Sequence, residues 1–421
     1  MAEATRTRRA RVHVAIVGGG IVGVSTAEWL RRQGAEVTLI DRGVADQAAS
    51  FGNGGVLARC AIVPVSVPGL LAQAPAMLLN PNKPLFLRWS YLPRMLPWLA
   101  SFLAAGKADR VRETAAGLMP LLSDTVEQHQ ALAKGTPAER WIVPGDYLYV
   151  YRDRAAFQQD AFGWALRHEH GITGDEMDAE ALRAFDPAIG PTAGFAYRMT
   201  DHGRITNPGA YVADLTAWFE GQGGKRIIAD VNSIEPDEAG VRVRYQGGEF
   251  SADRLAICGG AWSKTLVEPL GHKVKLESER GYHMVFENPS NQPPAPYMVA
   301  DGKFVATPME NGLRIAGIAE FGGLKQPPGK APIALLERGI QRLYPGFTSS
   351  GKRAWMGHRP STADSLPVLG GSQTHPRVFF GFGHHHIGLT SGPKSGRLLA
   401  DLILGGRPNI DVDPYRIERF S

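Results

Sequence analysis

Residues 12–42, VHVAIVGGGIVGVSTAEWLRRQGAEVTLIDR, restrict this chain more than any other stretch, because they contain every part of a strand–helix–strand nucleotide unit. The apolar run 12–17 predicts a strand, and Gly18, Gly20 and Gly23 form GxGxxG at the turn into a helix. The helical pattern continues through Glu28 and Leu30 to Gly34, and a second strand at 37–40 ends in Asp41. Gly18 permits the tight turn, Gly20 leaves room for a pyrophosphate against the backbone, and Gly23 lets the helix approach the strand. The helix N-terminus adds unpaired N–H groups and partial positive charge. Asp41, 18 residues beyond Gly23, is spaced to accept hydrogen bonds from a ribose. Alone the glycine pattern would be weak; with both strands, the helix and the acid it predicts an adenine-dinucleotide site.

At 421 residues the chain can bury a large core and is expected to form two domains. Two cysteines, Cys60 and Cys258, are too few for a disulfide framework or a cysteine metal site, and they fit a reducing, cytoplasmic compartment. The net charge of +5 is partly carried by residues 1–11, a stretch without the apolar centre of a signal peptide. Residues 1–10 are expected to be a disordered tail. No run reaches the ~18 consecutive apolar residues of a membrane span. No basic stripe interleaved with aromatics is present, which argues against nucleic acid as a partner.

Three strand-to-glycine units are spread along the chain: the opening one, RLAICGGAWS at 254–263, and RVFFGFGHHHIGLTSGPKSGRLLADLIL at 377–404. In the last, Leu398, Leu399, Leu402 and Ile403 give a helix its apolar stripe. Residues 45–58 form a low-bulk loop with glycine or asparagine at 52–55, suited to wrapping a cofactor. A nicotinamide domain is usually contiguous; this dispersion suits a flavin dinucleotide threaded lengthwise.

The ordered patterns GGGIVG…IDR, SFGNGG, ICGGAWS, HRPSTADSLPVLG and GHHHIGLTSGPKSGRLLADLI resemble the D-amino-acid oxidase/dehydrogenase superfamily over roughly residues 13–405. Within it the chain most resembles the bacterial D-amino-acid dehydrogenase small subunits, with glycine oxidase a near relative. The resemblance implies an α/β fold: a Rossmann-like FAD-binding domain of the glutathione-reductase type at 11–80, 190–276 and 355–421. An inserted α+β substrate domain on a mixed, largely antiparallel sheet would take 81–189 and 277–354.

It also implies non-covalent FAD and assigns residues to it. Gly18, Gly20 and Gly23, with Ile21 and Val22, would meet the pyrophosphate, and Asp41 the ribose. Arg42, Ser50, Asn53, Gly54, Gly55 and Val56 would line the ribityl and flavin region, and Val231 the adenine. Gly259, Gly260 and Trp262 would close over the dinucleotide. The loop comprising Gly383, His384, Gly388, Leu389 and Thr390 would aim N–H groups at the flavin's N1–C2=O edge, where charge accumulates on reduction.

For the substrate, the resemblance implies that Arg359 of RPSTADSLPVLG grips a carboxylate, a task suited to a planar, permanently charged fork. Arg314 is a competing candidate. His386 stands in GHHHIG where the resemblance implies a substrate-facing residue, and Tyr282, beside His283, is a pocket candidate. Histidines 384–386 invite a metal reading, but neighbours in an extended loop diverge and no carboxylate or cysteine completes a site nearby in sequence, so none is predicted. The expected reaction is oxidative deamination of a D-amino acid or a cyclic or secondary amine such as D-hydroxyproline, by hydride transfer from Cα to flavin N5, with electrons passed to quinone or another acceptor. The rivals are a glycine- or sarcosine-type oxidase using O2 and a flavoprotein subunit of a heteromeric complex; homo- or hetero-oligomers stay open. The apolar, aromatic stretch 84–104 reads as a pair of buried helices broken at Pro93 and Pro97, or else as a peripheral contact with the inner face of the cytoplasmic membrane.

Overall fold

The computed structural model describes residues 11–70 and 84–421; the expected tail at 1–10 lies outside the described residues. The opening unit folds as the strand His13–Val17, the helix Ile21–Arg32 and the strand Glu36–Asp41. His13–Val17 lies centrally in a six-stranded sheet, parallel to Glu36–Asp41 on one side and Arg254–Ile257 on the other. Lys225–Ile228 and Val378–Phe382 extend it in parallel, and Val368–Gly371 closes one edge antiparallel. The inner strands are covered on both faces, so His13–Val17, Arg254–Ile257 and Val378–Phe382 read as largely continuous apolar runs rather than alternations. Val14 and Ile16 pack beneath the helices Ile21–Arg32 and Gly388–Ile403, while Ala15 and Val17 meet Ile234 and Val243 of a three-stranded meander.

The two helices approach closely because Gly392 and Gly396 face Ile21 and Ser25; a Cβ on Gly396 would stand 2.5 Å from Ser25 Cβ. This contact brings two helix N-termini, one from each end of the chain, to the same side of the sheet.

The second sheet is mixed and mostly antiparallel. Its order is Gly351–Thr362, Leu276–Glu287, Gly312–Phe321, Phe304–Met309, Tyr297–Val299, Ile142–Tyr151, Phe195–Ile205 and Val56–Leu57, with Leu85–Leu87 and Asp175–Asp178 pairing off this path. The helix Lys330–Leu343 covers it through Leu335, Leu336, Ile340 and Leu343, packed on Met284, Phe286 and Ile315. The chain therefore has the expected α/β plan of a dinucleotide-type sheet joined to a mixed sheet. The mixed sheet draws Val56–Leu57, Phe195–Ile205 and Gly351–Thr362 partly from stretches assigned by sequence to the other portion, so the two layers are stitched together at several points.

The stretch 84–104 departs from the helix pair expected. It forms the short strand Leu85–Leu87, a 3-10 turn at Trp89–Tyr91 and one helix, Leu92–Ala105. Pro93 falls in the first turn, where no intrahelical bond is lost, so it starts a helix rather than breaking one. Met95, Trp98 and Phe102 are buried, whereas Trp89 is 58% and Leu96 53% exposed. Among the described residues no helix is long and apolar enough to cross a membrane.

Candidate functional site

A cavity of about 1240 Å³ runs from the carboxyl ends of the parallel strands to the face of the mixed sheet. At its sheet end the chain turns at Gly18, whose φ of +112° and 2.3 Å separation between a would-be Cβ and Cys258 O leave no room for a side chain. A Cβ on Gly23 would lie 1.9 Å from Gly18 O, so this glycine sets the helix against the strand and does not line the cavity. Gly20 differs: with φ −72° and a nearest Cβ neighbour 3.5 Å away, nothing in the protein requires glycine there. The open space beside it is a cradle that a side chain would partly fill.

The groups around this turn are already oriented. Asp41 Oδ2 accepts from Gly19 N–H at 2.8 Å and Oδ1 from Gly43 N–H at 2.8 Å, which locks the carboxylate while leaving lone pairs for a further donor. Ser50 Oγ caps Ile21 N–H at 3.0 Å from a remote loop. Among the described residues, the N–H groups of Gly20 and Val22 have no protein acceptor. Arg42 stacks on Trp262 at 4.1 Å, and Val231, Gly259 and Gly260 line the same end.

The C-terminal turn supplies a second set of donors. The helix Gly388–Ile403 has no side-chain cap, and among the described residues the N–H groups of Gly388, Leu389 and Thr390 are unpaired at the cavity wall. Gly383, φ +82°, packs its α-carbon against Thr362 and does not line the cavity. The three histidines diverge. His384 bonds Ser395 Oγ at 3.1 Å. His385 turns to Ser361 and Thr362, and the exposed ring of His386 faces the cavity. Desolvation at the cavity wall, aided by neighbouring His385, lowers the His386 pKa to about 4, so the ring is neutral at pH 7. Asn53 reaches His386 O at 3.5 Å and folds its own carboxamide onto Gly55 N–H; Gly54 and Val56 line the cavity beside it, Gly55 does not.

On the mixed sheet, Arg359 lines the cavity and lies across Gly281, whose absent side chain makes the space: a Cβ there would stand 2.6 Å from the guanidinium carbon. Arg359 Nη1 donates to Glu279 Oε1 at 2.5 Å and to Ile318 O at 3.3 Å, and Nη2 to Gly317 O at 3.1 Å. Those carbonyls are aimed by a bulge opposite Gly281 and Tyr282, in which Ile318 has φ +58°, a strained value for a β-branched residue. Five guanidinium hydrogens less these three bonds leave Nε–H and one Nη2 hydrogen for a ligand.

Glu279 is the residue that motif reading passed over. It stands in ERGYH within Leu276–Glu287, a strand buried on both faces, and a carboxylate in such a strand requires a partner. Burial acts to raise its pKa, but Arg359 and His385 outweigh it and hold the carboxyl below its ordinary value.

The two remaining candidates have protein partners of their own. Tyr282 lines the cavity, yet its hydroxyl bonds Glu320 and accepts from Gly329 N–H at 2.8 Å; burial and the Glu320 contact push its pKa up to about 12. Glu320 also pairs with Arg280 and Arg88. Arg314 does not line the cavity. Its Nη1 donates to Phe51 O at 3.2 Å and Asn53 O at 2.7 Å, and burial, then repulsion from Arg353, lowers its pKa to about 10.

The residues therefore fit a dinucleotide. Two helix N-termini with free N–H groups, a ribose-spaced acid and the Gly20 cradle lie along one cavity, and a cation with spare donors waits at its far end.

Comparison with known proteins follows the same lines. The family model for FAD dependent oxidoreductases, DAO, matches residues 13–402. A D-amino-acid oxidase of Bradyrhizobium diazoefficiens is 36% identical over 416 residues, covering 97% of this chain and 99% of its own. Glycine oxidase from Geobacillus kaustophilus has a similar structure, with a TM-score of 0.74 at 20% identity, 97% of this chain and 98% of that one being covered. L-proline dehydrogenase from P. horikoshii gives 0.72 at 16% identity, covering 97% and 98%. At such identities the structural likenesses speak for the fold.

Proposed function

The chain belongs to the DAO family of FAD-dependent oxidoreductases, and from that membership we propose that it oxidises the Cα–N bond of an amino acid, with the D-enantiomer or an achiral or cyclic secondary amine as substrate. The observation that carries this reading is Arg359, cavity-lining and pre-aligned, with Nε–H and one Nη2 hydrogen left to grip a carboxylate. The name of the 36% identical relative supports a D-amino acid.

FAD, held without a covalent bond, supplies the hydride acceptor when bound. Everything else in the reaction is done by the chain. Gly20, Val22 and Asp41 would hold the pyrophosphate and ribose, and Gly388, Leu389 and Thr390 the carbonyl edge of the flavin ring. Arg359 fixes the substrate carboxylate, so rotation of the substrate is limited and Cα–H is presented in one orientation. The rings of His386 and Tyr282 line the cavity around it. The imino acid product leaves and is hydrolysed to a keto acid and ammonia.

Exposed Trp89 and Leu96, on the segment that borders the cavity, support a peripheral membrane contact and quinone as acceptor. Anaerobic bleaching of the bound flavin by a panel of D-, L- and N-methyl amino acids tests the substrate class, and indifference to all three groups overturns the reading. Dye reduction without hydrogen peroxide in air is the result expected for quinone; stoichiometric peroxide assigns O2 instead.

A further inference from the structure

Behind Arg359 the hydrogen bonds of three buried residues do not balance. Ser361 Oγ lies 3.2 Å from Glu279 Oε2 and 3.1 Å from His385 Nδ1. His385 Nε2 lies 2.9 Å from Thr362 O, and a carbonyl only accepts, so Nε2 carries the hydrogen. In a neutral ring Nδ1 must then accept. Ser361 has one hydroxyl proton and two acceptors competing for it. A single additional proton, placed on His385 Nδ1, satisfies all three groups: Nδ1–H donates to Ser361, and Ser361 donates to Glu279.

Of the three, Glu279 and His385 line the cavity and Ser361 is fully buried between them. His385 is held there at φ +51°, a conformation that a non-glycine residue adopts only under constraint from its surroundings. The neighbouring charges are Arg359 at Glu279, and Glu279, Asp364 and Arg359 around His385, with the His386 ring beside it. Burial keeps the His385 pKa below its ordinary value despite the pull of Glu279 and Asp364, so the ring stands unprotonated at neutral pH.

We propose that Glu279, Ser361 and His385 form a relay that takes the proton from the substrate's ammonium group before oxidation. The inference rests on the amino-acid-oxidising reading above and adds to it the group that makes the amine neutral. The substrate N–H bond breaks with its electron pair left on nitrogen, and an O–H bond forms on Glu279. Ser361 accepts that proton while passing its own to His385 Nδ1. At the end Glu279 is again ionised, Ser361 is again a hydroxyl, and the ring is an imidazolium whose Nδ1 lies 3.8 Å from Glu279 Oε2. The positive charge has moved from the substrate nitrogen to His385 without changing the total charge of the site. This accommodates a zwitterionic amino acid, its carboxylate on Arg359, at a pH where little free amine exists in water.

The holoenzyme tests it in two ways. With 15N-labelled histidine, binding of 2-aminoisobutyrate, which has no Cα–H to lose, is expected to convert one imidazole to imidazolium. That signal should be missing from His385→Asn and from Ser361→Ala. In stopped flow, flavin reduction by the best substrate should vary little in wild type from pH 8 to 6, but fall about tenfold per pH unit in Ser361→Ala, where the proton must leave through water. Benzoate affinity within twofold of wild type certifies that the carboxylate grip of Ser361→Ala is intact. An unchanged histidine spectrum in wild type, or equal pH slopes in the two proteins, overturns the relay while leaving the amino-acid reading standing. If wild type binds neither 2-aminoisobutyrate nor benzoate, the amino-acid reading fails and the relay with it.

Discussion

Arg359 and Glu279 stand opposite one another on neighbouring antiparallel strands, joined by a 2.5 Å ion pair that uses one Nη1 hydrogen and leaves Nε–H free. The carboxylate thus orients the guanidinium without consuming it. Arg359→Lys keeps the charge but loses the fork, and is expected to raise the substrate KM by roughly 30-fold or more, about 2 kcal/mol of capture. Steady-state kinetics on the bleaching substrate decides this; an unaltered KM moves the carboxylate grip away from Arg359.

Gly20 and Gly23 are predicted to fail differently. Gly20→Ala makes only an ordinary contact, 3.5 Å from Ser50 Oγ, so it should fold with nearly native Tm while FAD affinity drops at least about tenfold. Gly23→Ala drives a methyl into Gly18 O and should lower stability by about 1–3 kcal/mol. Thermal melts and flavin titration separate the two, and equal losses of Tm would contradict the assignment.

Arg314 is a support for the 51–53 loop. Arg314→Met should weaken FAD retention through loss of the bonds to Phe51 O and Asn53 O, with substrate KM at saturating FAD within about threefold of wild type. A large KM increase with normal flavin content would restore it as a substrate residue.

Acid sensitivity follows from buried neutral histidines. Burial lowers His129 to about 4 and His283 and His384 to about 3. Their depressed values mean that the unfolded chain binds more protons from pH 6.5 down to about 4 for His129 and about 3 for the other two, so the stability these rings contribute is complete above pH 6.5 and is lost as pH falls through that window. Each unit of depression corresponds to roughly 1.4 kcal/mol. The urea midpoint should therefore decline steeply from pH 6.5 to 4.5; a flat profile there would count against the three buried rings. His129→Gln, which keeps donors and acceptors near Leu389 O and Tyr211, should flatten part of the slope.

The first nucleotide unit was legible because its information is local. Strand, turn and helix follow from apolar runs and three glycines within about thirty residues, and the roles of Gly18 and Gly23 are backbone roles that spacing alone specifies. The parallel sheet was legible for a similar reason: strands covered on both faces must be apolar throughout. Even the exception is instructive. Pro93 and Pro97 read as breaks in the sequence, but Pro93 falls in the first turn, where a proline starts a helix, and Pro97 is carried inside the helix Leu92–Ala105, which continues past it.

What the sequence by itself determined, then, is the glycine turn between strand and helix at residues 13–32 and the apolar strands of the parallel sheet; the plan with a second, mixed sheet came from the family resemblance. Only the tertiary structure decided that Glu279 faces Arg359 from 80 residues away, that Arg314 serves a loop, and that Ser361 lies between a carboxylate and an imidazole. The reason is physical: periodicity records which residues are buried, whereas the partner of a buried charge depends on strand register and on bulges such as that at Ile318, which are set by contacts between distant segments.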